Sequence, residues 1–157
     1  MTYLYPARLG CRVTNGSDQS IPNTGATVLT FDTSLFDVGD LHDTAINNSR
    51  ITIPTNGDGV YVVGAGITFD PTAAVSQREL QIMVNGSLVI CKEVVQAQVV
   101  GVFGFSLVAS CTWNFVAGDF IEATALQDTL GALDVISSDA AGSGEFSPIF
   151  WAQRLSD

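Results

Sequence analysis

From Phe103 to Phe115 the chain alternates without a break. Phe103, Phe105, Leu107, Ala109, Cys111, Trp113 and Phe115 are apolar, and between them stand Gly104, Ser106, Val108, Ser110, Thr112 and Asn114, all small or polar except for the valine. A period of two makes two faces only on a β-strand. The stretch 101–119 is therefore expected to be one long central strand with its large side chains in a core. The opposite face is too smooth and too free of charge for an ordinary wetted surface, and is expected to lie against another copy of the chain. Residues 60–69 repeat the pattern, with Tyr61, Val63, Ala65, Ile67 and Phe69 on the large face and Val60, Val62, Gly64, Gly66 and Thr68 on the small one. The two strands are expected to share a sheet.

The rest of the chain reads as short strands between turn signals. Ala7, Leu9, Cys11 and Val13 alternate with Arg8, Gly10 and Arg12, giving a first strand, and Asn15-Gly16-Ser17-Asp18 gives a turn. Residues 19–31 form a second strand, interrupted at Pro22 and Gly25. Residues 31–50 are the longest polar stretch and predict a surface loop. Ile51-Thr52-Ile53 predicts a short strand with both isoleucines inward. Thr55 to Gly59 is a turn. Residues 78–84 and 87–95 form a hairpin around Asn85-Gly86, a pair suited to the positive φ angles of a tight β-turn. After the turn at Gly118-Asp119, residues 120–127 predict a half-exposed strand, 128–144 a small, acidic loop, and 146–155 the last strand. No 3.6-residue period lasts three turns. The expectation is an all-β antiparallel sandwich or barrel.

Composition narrows what such a sandwich does. At 157 residues the chain is expected to be one domain (residues 7–157) after a short arm (1–6). Charged residues make up 14% against a usual value of about 25%, so part of the outside is expected to be covered by partners. The charge present is acidic, 16 Asp and Glu against 6 Lys and Arg, a formal net of −10. That sign opposes binding to nucleic acid or to an anionic membrane. No apolar run approaches a membrane span, and the opening residues carry no secretion signal, so synthesis in the cytoplasm with reduced cysteines is expected. Cys11, Cys91 and Cys111 are odd in number, leaving at least one thiol free unless chains pair.

Several segments, in order, resemble the jelly-roll family of complement globular heads and tumour necrosis factor. They are Phe31-Asp32, then Arg50-Ile51-Thr52-Ile53-Pro54, Gly59-Val60-Tyr61, Asn85-Gly86, Gly118-Asp119-Phe120-Ile121-Glu122, and Phe150-Trp151-Ala152-Gln153-Arg154-Leu155, with Trp151 where the family carries serine. The spacing of Phe31-Asp32, Phe36-Asp37, His42-Asp43 and Arg50 to Pro54 is similar to the version carried by tailed bacteriophages. The resemblance implies a ten-strand jelly roll in a tight homotrimer. The first, last and two central strands would then form an inner sheet facing the threefold axis. It places Val60, Val62, Gly64, Ser106, Val108, Ser110, Thr112, Trp151 and Leu155 at the expected subunit interface.

Candidate chemistry is sparse. His42 is the only histidine, so one chain cannot supply the two or three histidines of a metal-dependent jelly-roll enzyme. It reads as a loop residue capping a turn with Asp43, although a threefold axis could gather three copies. Asp37, Asp40 and Asp43 are weak Ca²⁺ candidates without EF-hand spacing, and read as solvated turn caps. Cys111 on the core face reads as a small hydrophobe. Asn15-Gly16-Ser17, Asn47-Asn48-Ser49 and Asn85-Gly86-Ser87 match the glycosylation pattern but read as turns. Trp113 and Trp151 could stack on a sugar; packing in the core or between subunits is the preferred reading. No catalytic residue, cofactor or metal is expected.

The leading expectation is a non-enzymatic virion surface protein, a stalkless trimeric knob acting as a capsid decoration (cement) protein that binds itself and major capsid or tail proteins. The alternative is the receptor-binding head of a tail or head fibre, recognising a host surface glycan through a loop with Asp32, Asp37, His42 and Asp43, or through residues 128–144.

Overall fold

The computed structural model describes residues 8–71, 75–97, 104–137 and 147–156. These form twelve strands in two sheets of seven and five, with no helix among the described residues. The organising strand is β6 (Gly59–Phe69), which runs antiparallel to β9 (Phe105–Phe115) along its whole length, from Gly59 opposite Phe115 to Phe69 opposite Phe105. On the other side of β6 come β12 (Ile149–Ser156), β1 (Gly10–Thr14) and β4 (Thr33–Val38) in turn. β11 (Leu133–Val135) meets β6 at Phe69 and carries β2 (Gln19–Ile21). The smaller sheet is built on β10 (Phe120–Gln127). One side of β10 pairs with β7 (Ser76–Val84), which is followed by β8 (Leu88–Ala97). The other pairs with β3 (Thr27–Val28) and β5 (Arg50–Thr52).

The large faces read from the sequence meet between the sheets. Tyr61, Val63, Ala65, Ile67 and Phe69 of β6 are buried against Leu80, Ile82 and Val84 of β7 and Ile121, Ala123 and Ala125 of β10. Phe31 stacks on Phe150 at 5.3 Å between ring centroids, and Tyr61 meets Phe115 edge-on at 5.7 Å. The Tyr61 hydroxyl donates to the Gly57 carbonyl at 2.7 Å, so the buried phenol has its partner. The hairpin turn forms as expected, with Asn85 at φ 52° and Gly86 at φ 69°.

Five expectations are corrected. β9 is an edge strand; the central one is β6, because β12 and β9 flank it on both sides. The polar stretch 31–50 contains β4, whose Leu35, Phe36 and Val38 were masked by flanking aspartates. The acidic stretch after Asp128 contains β11. β10 is buried on both faces, since Glu122 and Thr124 are covered as well as Ile121 and Ala123. The interrupted strand 19–31 crosses the sandwich, β2 lying in one sheet and β3 in the other. The expected Asn15 turn is present without positive φ, held by the Asn15 side chain, which accepts from the Ser17 amide at 2.8 Å and donates to the Thr30 carbonyl at 2.9 Å. Phe103, Ala7 and Phe146 lie outside the described residues.

Candidate functional site

The seven-stranded sheet has an outward face that registers strand by strand. Cross-strand partners share a face, so Phe36, Arg12, Trp151, Gly64 and Ser110 form one row from β4 to β9. Val38, Gly10, Gln153, Val62 and Thr112 form the next. Thr14, Ile149, Gly66 and Val108 form a third. Arg12 is the one charged residue in these rows. Val108 is 62% exposed, Val38 51% and Phe36 46%. Leu155, at a bulge in β12, is 58% exposed. The expected interface residues Val60, Val62, Ser106, Ser110 and Thr112 also lie on this face, from half-buried to exposed.

The face is flat because large side chains lie down on glycines. A Cβ on Gly64 would fall inside the contact radius of Trp151 Cζ2, Cε2 and Cη2, so the indole covers that backbone closely. Ile149 Cγ2 sits the same way over Gly66, 3.1 Å from where a Cβ would stand. Trp151 is thereby half-buried by its own sheet. Beside it a hollow of about 370 Å³ is lined by Cys11, Arg12, Phe36, Trp151, Ala152 and Gln153. Phe36 and Val38, which help shape this surface, escaped the sequence reading; the signal was Leu-Phe-Asp-Val inside a stretch otherwise rich in aspartate.

The loop residues singled out for ligands serve mainly to hold the loop. Asp37 accepts from the amides of Leu41 at 3.0 Å and His42 at 2.9 Å. Asp32 accepts from the Gly16 amide and the Thr33 hydroxyl. Asp43 accepts from the amides of Ile46 and Ala45, and these two bonds hold its carboxyl below the usual carboxylate range. His42 spans the loop, with Nε2 3.0 Å from the Phe31 carbonyl oxygen and Nδ1 2.7 Å from that of Arg50. Both partners only accept, so the ring nitrogen carrying the proton donates, and a doubly protonated ring would donate to both. The turn pairing of His42 with Asp43 gives way to this bridge. Asp40 sits at φ 55°, and no three of His, Cys, Asp or Glu converge on a metal position among the described residues. An open depression of about 460 Å³ lies over the loop, lined by Asp40, Leu41, His42, Asp43, Ile46, Asn47, Arg50 and Thr52.

Two polar clusters, one half-buried and one buried, were not legible from sequence. Arg50 donates from Nε to Glu122 Oε1 at 3.0 Å and lays its guanidinium 4.0 Å above the Phe120 ring, while the Ser49 hydroxyl donates to the same carboxylate oxygen at 3.1 Å. Arg78 is buried with its guanidinium facing the Phe69 ring, donating to Ser76 Oγ and the Gln77 carbonyl. Burial pushes its pKa down, and the charge of Asp128 opposes that. Trp113, expected on the buried face, stands at the open edge of β9 and is 38% exposed.

No protein-family model and no curated protein sequence matches the chain. Solved structures do. The crystal structure of murine APRIL at pH 5.0 superposes with a TM-score of 0.64 over 94% of this chain and 99% of that one, at 9% identity. At that identity the likeness is one of fold: two antiparallel sheets in a tumour-necrosis-factor-like jelly roll.

Proposed function

We propose that the protein is a non-catalytic attachment head that works as a homotrimer through the outward face of its seven-stranded sheet, as a decoration knob on the surface of a tailed-bacteriophage virion. The observation that carries this reading is that face. It combines Phe36, Val38, Val108 and Leu155 in the open with one charged residue in three cross-strand rows. An apolar surface of this kind, rimmed by acidic loops, marks a protein contact. The hollow beside Trp151 and the exposed edge at Val108 are unlike surfaces, so copies joined through them associate head to tail, and a threefold rotation closes that arrangement into a ring. The threefold number and the virion setting come from the resemblance of Phe31-Asp32, Phe36-Asp37, His42-Asp43 and Arg50 to Pro54 to the bacteriophage version of the fold.

The test is the mass of the native protein in dilute buffer, followed by its adsorption to an undecorated phage capsid lattice. Three copies and saturable lattice binding are expected. A monomer at micromolar concentration overturns the trimer, and a trimer indifferent to the lattice overturns the decoration role. The open depression over residues 40–52, with its polar lining, favours a second reading in which the trimer is a fibre head recognising a host surface glycan. Binding to a glycan array, lost on removing the side chain of Asn47 or Asp40, is the result that reading requires.

A further inference from the structure

β9 and β8 are the free edges of the two sheets on the same side of the sandwich, and no backbone pairing joins them among the described residues. Two cysteines face each other across that gap. Cys111 shares the inter-sheet face of β9 with Leu107 and Ala109, opposite Val63 of β6. Cys91 stands on β8 opposite Ile82, beside a register shift that bends the strand. Both side chains pack against the same core from the two facing edges, and both thiols are free and only partly buried. The third cysteine, Cys11, is fully buried between β12 and β4 and takes no part.

We propose that Cys91 and Cys111 are a redox-modification site, forming an intrachain disulfide that staples the two sheets where hydrogen bonding leaves them open. The oxidant is a low-molecular-weight disulfide. One cysteine thiolate attacks it, forming a mixed disulfide and releasing the first small thiol. The second cysteine, once deprotonated, attacks the protein-bound sulfur and displaces the second small thiol. The two cysteines lose two electrons and two protons, and the small disulfide leaves as two thiols. The fold holds the partners on facing strands, so the second step is intramolecular and outruns capture of a second oxidant. Burial, and then the contact with Cys91, push the Cys111 thiol up to about 12. Only thiolate attacks, so the dithiol persists at neutral pH in a reducing medium and closes faster as pH rises.

Both thiols lie on the inter-sheet side rather than in the outward rows, so the staple does not rest on the attachment reading. The experiment incubates the native protein with oxidised glutathione, blocks remaining thiols, and maps peptides by mass. A linked pair of peptides carrying Cys91 and Cys111 is expected, with the intact mass lower by two hydrogen atoms and Cys11 blocked only after unfolding. Cys11→Ser is expected to retain the link, and Cys91→Ser and Cys111→Ser to lose it. A lasting glutathione adduct on one cysteine, a link between chains, or two thiols that stay free overturns the proposal. The unmodified sequence decides the matter even if a serine variant fails to fold.

Discussion

Trp151 lies flat only because Gly64 has no side chain. A methyl at that position displaces the indole from the sheet, and overpacking of this kind costs about 1–3 kcal/mol. Gly64→Ala is therefore expected to lower the urea-unfolding free energy by that amount and to shift tryptophan emission to the red. Gly118 makes the contrast. It has φ +91° and open space around its Cα, so Gly118→Ala is strained by the backbone alone, costs about 1–2 kcal/mol and leaves the emission unchanged. Asp43 is a residue of a different kind. Its carboxyl is held below the usual range by two amides, so its anchoring of the loop is present above the unfolded-state pKa and is lost as pH falls through the lower folded value. Protection of the Ala45 and Ile46 amides, measured against their intrinsic exchange rates, is expected to hold at neutral pH and to fall in acid, and Asp43→Ala removes that acid step by abolishing the protection throughout.

At the level of elements, the clamp between β5 and β10 accounts for a strand that the alternation rule reads as half-exposed. Glu122 points away from the apolar core but is covered by Arg50 and Ser49. The Arg50 side chain is 38% exposed, so solvent screens the pair and its worth is near the lower end of a charged hydrogen bond, about 1–2 kcal/mol. Glu122→Ala and Arg50→Ala are each expected to lose about that much in chemical denaturation, and the double variant to lose less than the sum. The same clamp shows where sequence reasoning stops. β6, β7 and β9 were readable because each has one apolar and one non-apolar or small face, and the Asn85-Gly86 turn fixes how β7 meets β8. β4 and β11 were not, because each is short and stands among aspartates. β10 misled because periodicity reports side-chain polarity, whereas burial of Glu122 depends on what folds over it from 72 residues away in the chain. The outward face was legible at Val60, Val62 and Val108 through small-residue spacing and at Trp151 through the family resemblance, but Phe36 and Val38 join it only once β4 is placed beside β1.

For the molecule as a whole, a formal charge of −10 per copy makes association costly unless the charges stay apart. They do. The loop aspartates 32, 37, 40 and 43 lie between β3 and β5 or at the rim of β4, whereas the three outward rows carry only Arg12. Repulsion between copies then acts at long range and is screened within about 10 Å at 0.1 M salt. Apolar contact acts at the face and is indifferent to salt. The proposed trimer is thus expected to tighten only modestly between low and physiological salt, by sedimentation or light scattering. Val108→Asp tests the same balance from inside. Val108 is 62% exposed in the single chain, so an aspartate there leaves the fold and its circular dichroism intact. In the proposed ring it buries an unpaired carboxylate in every contact, at about 3–5 kcal/mol each. The expected outcome is a folded monomer; a Val108→Asp protein that still sediments as three copies would mean that the chains meet through another surface.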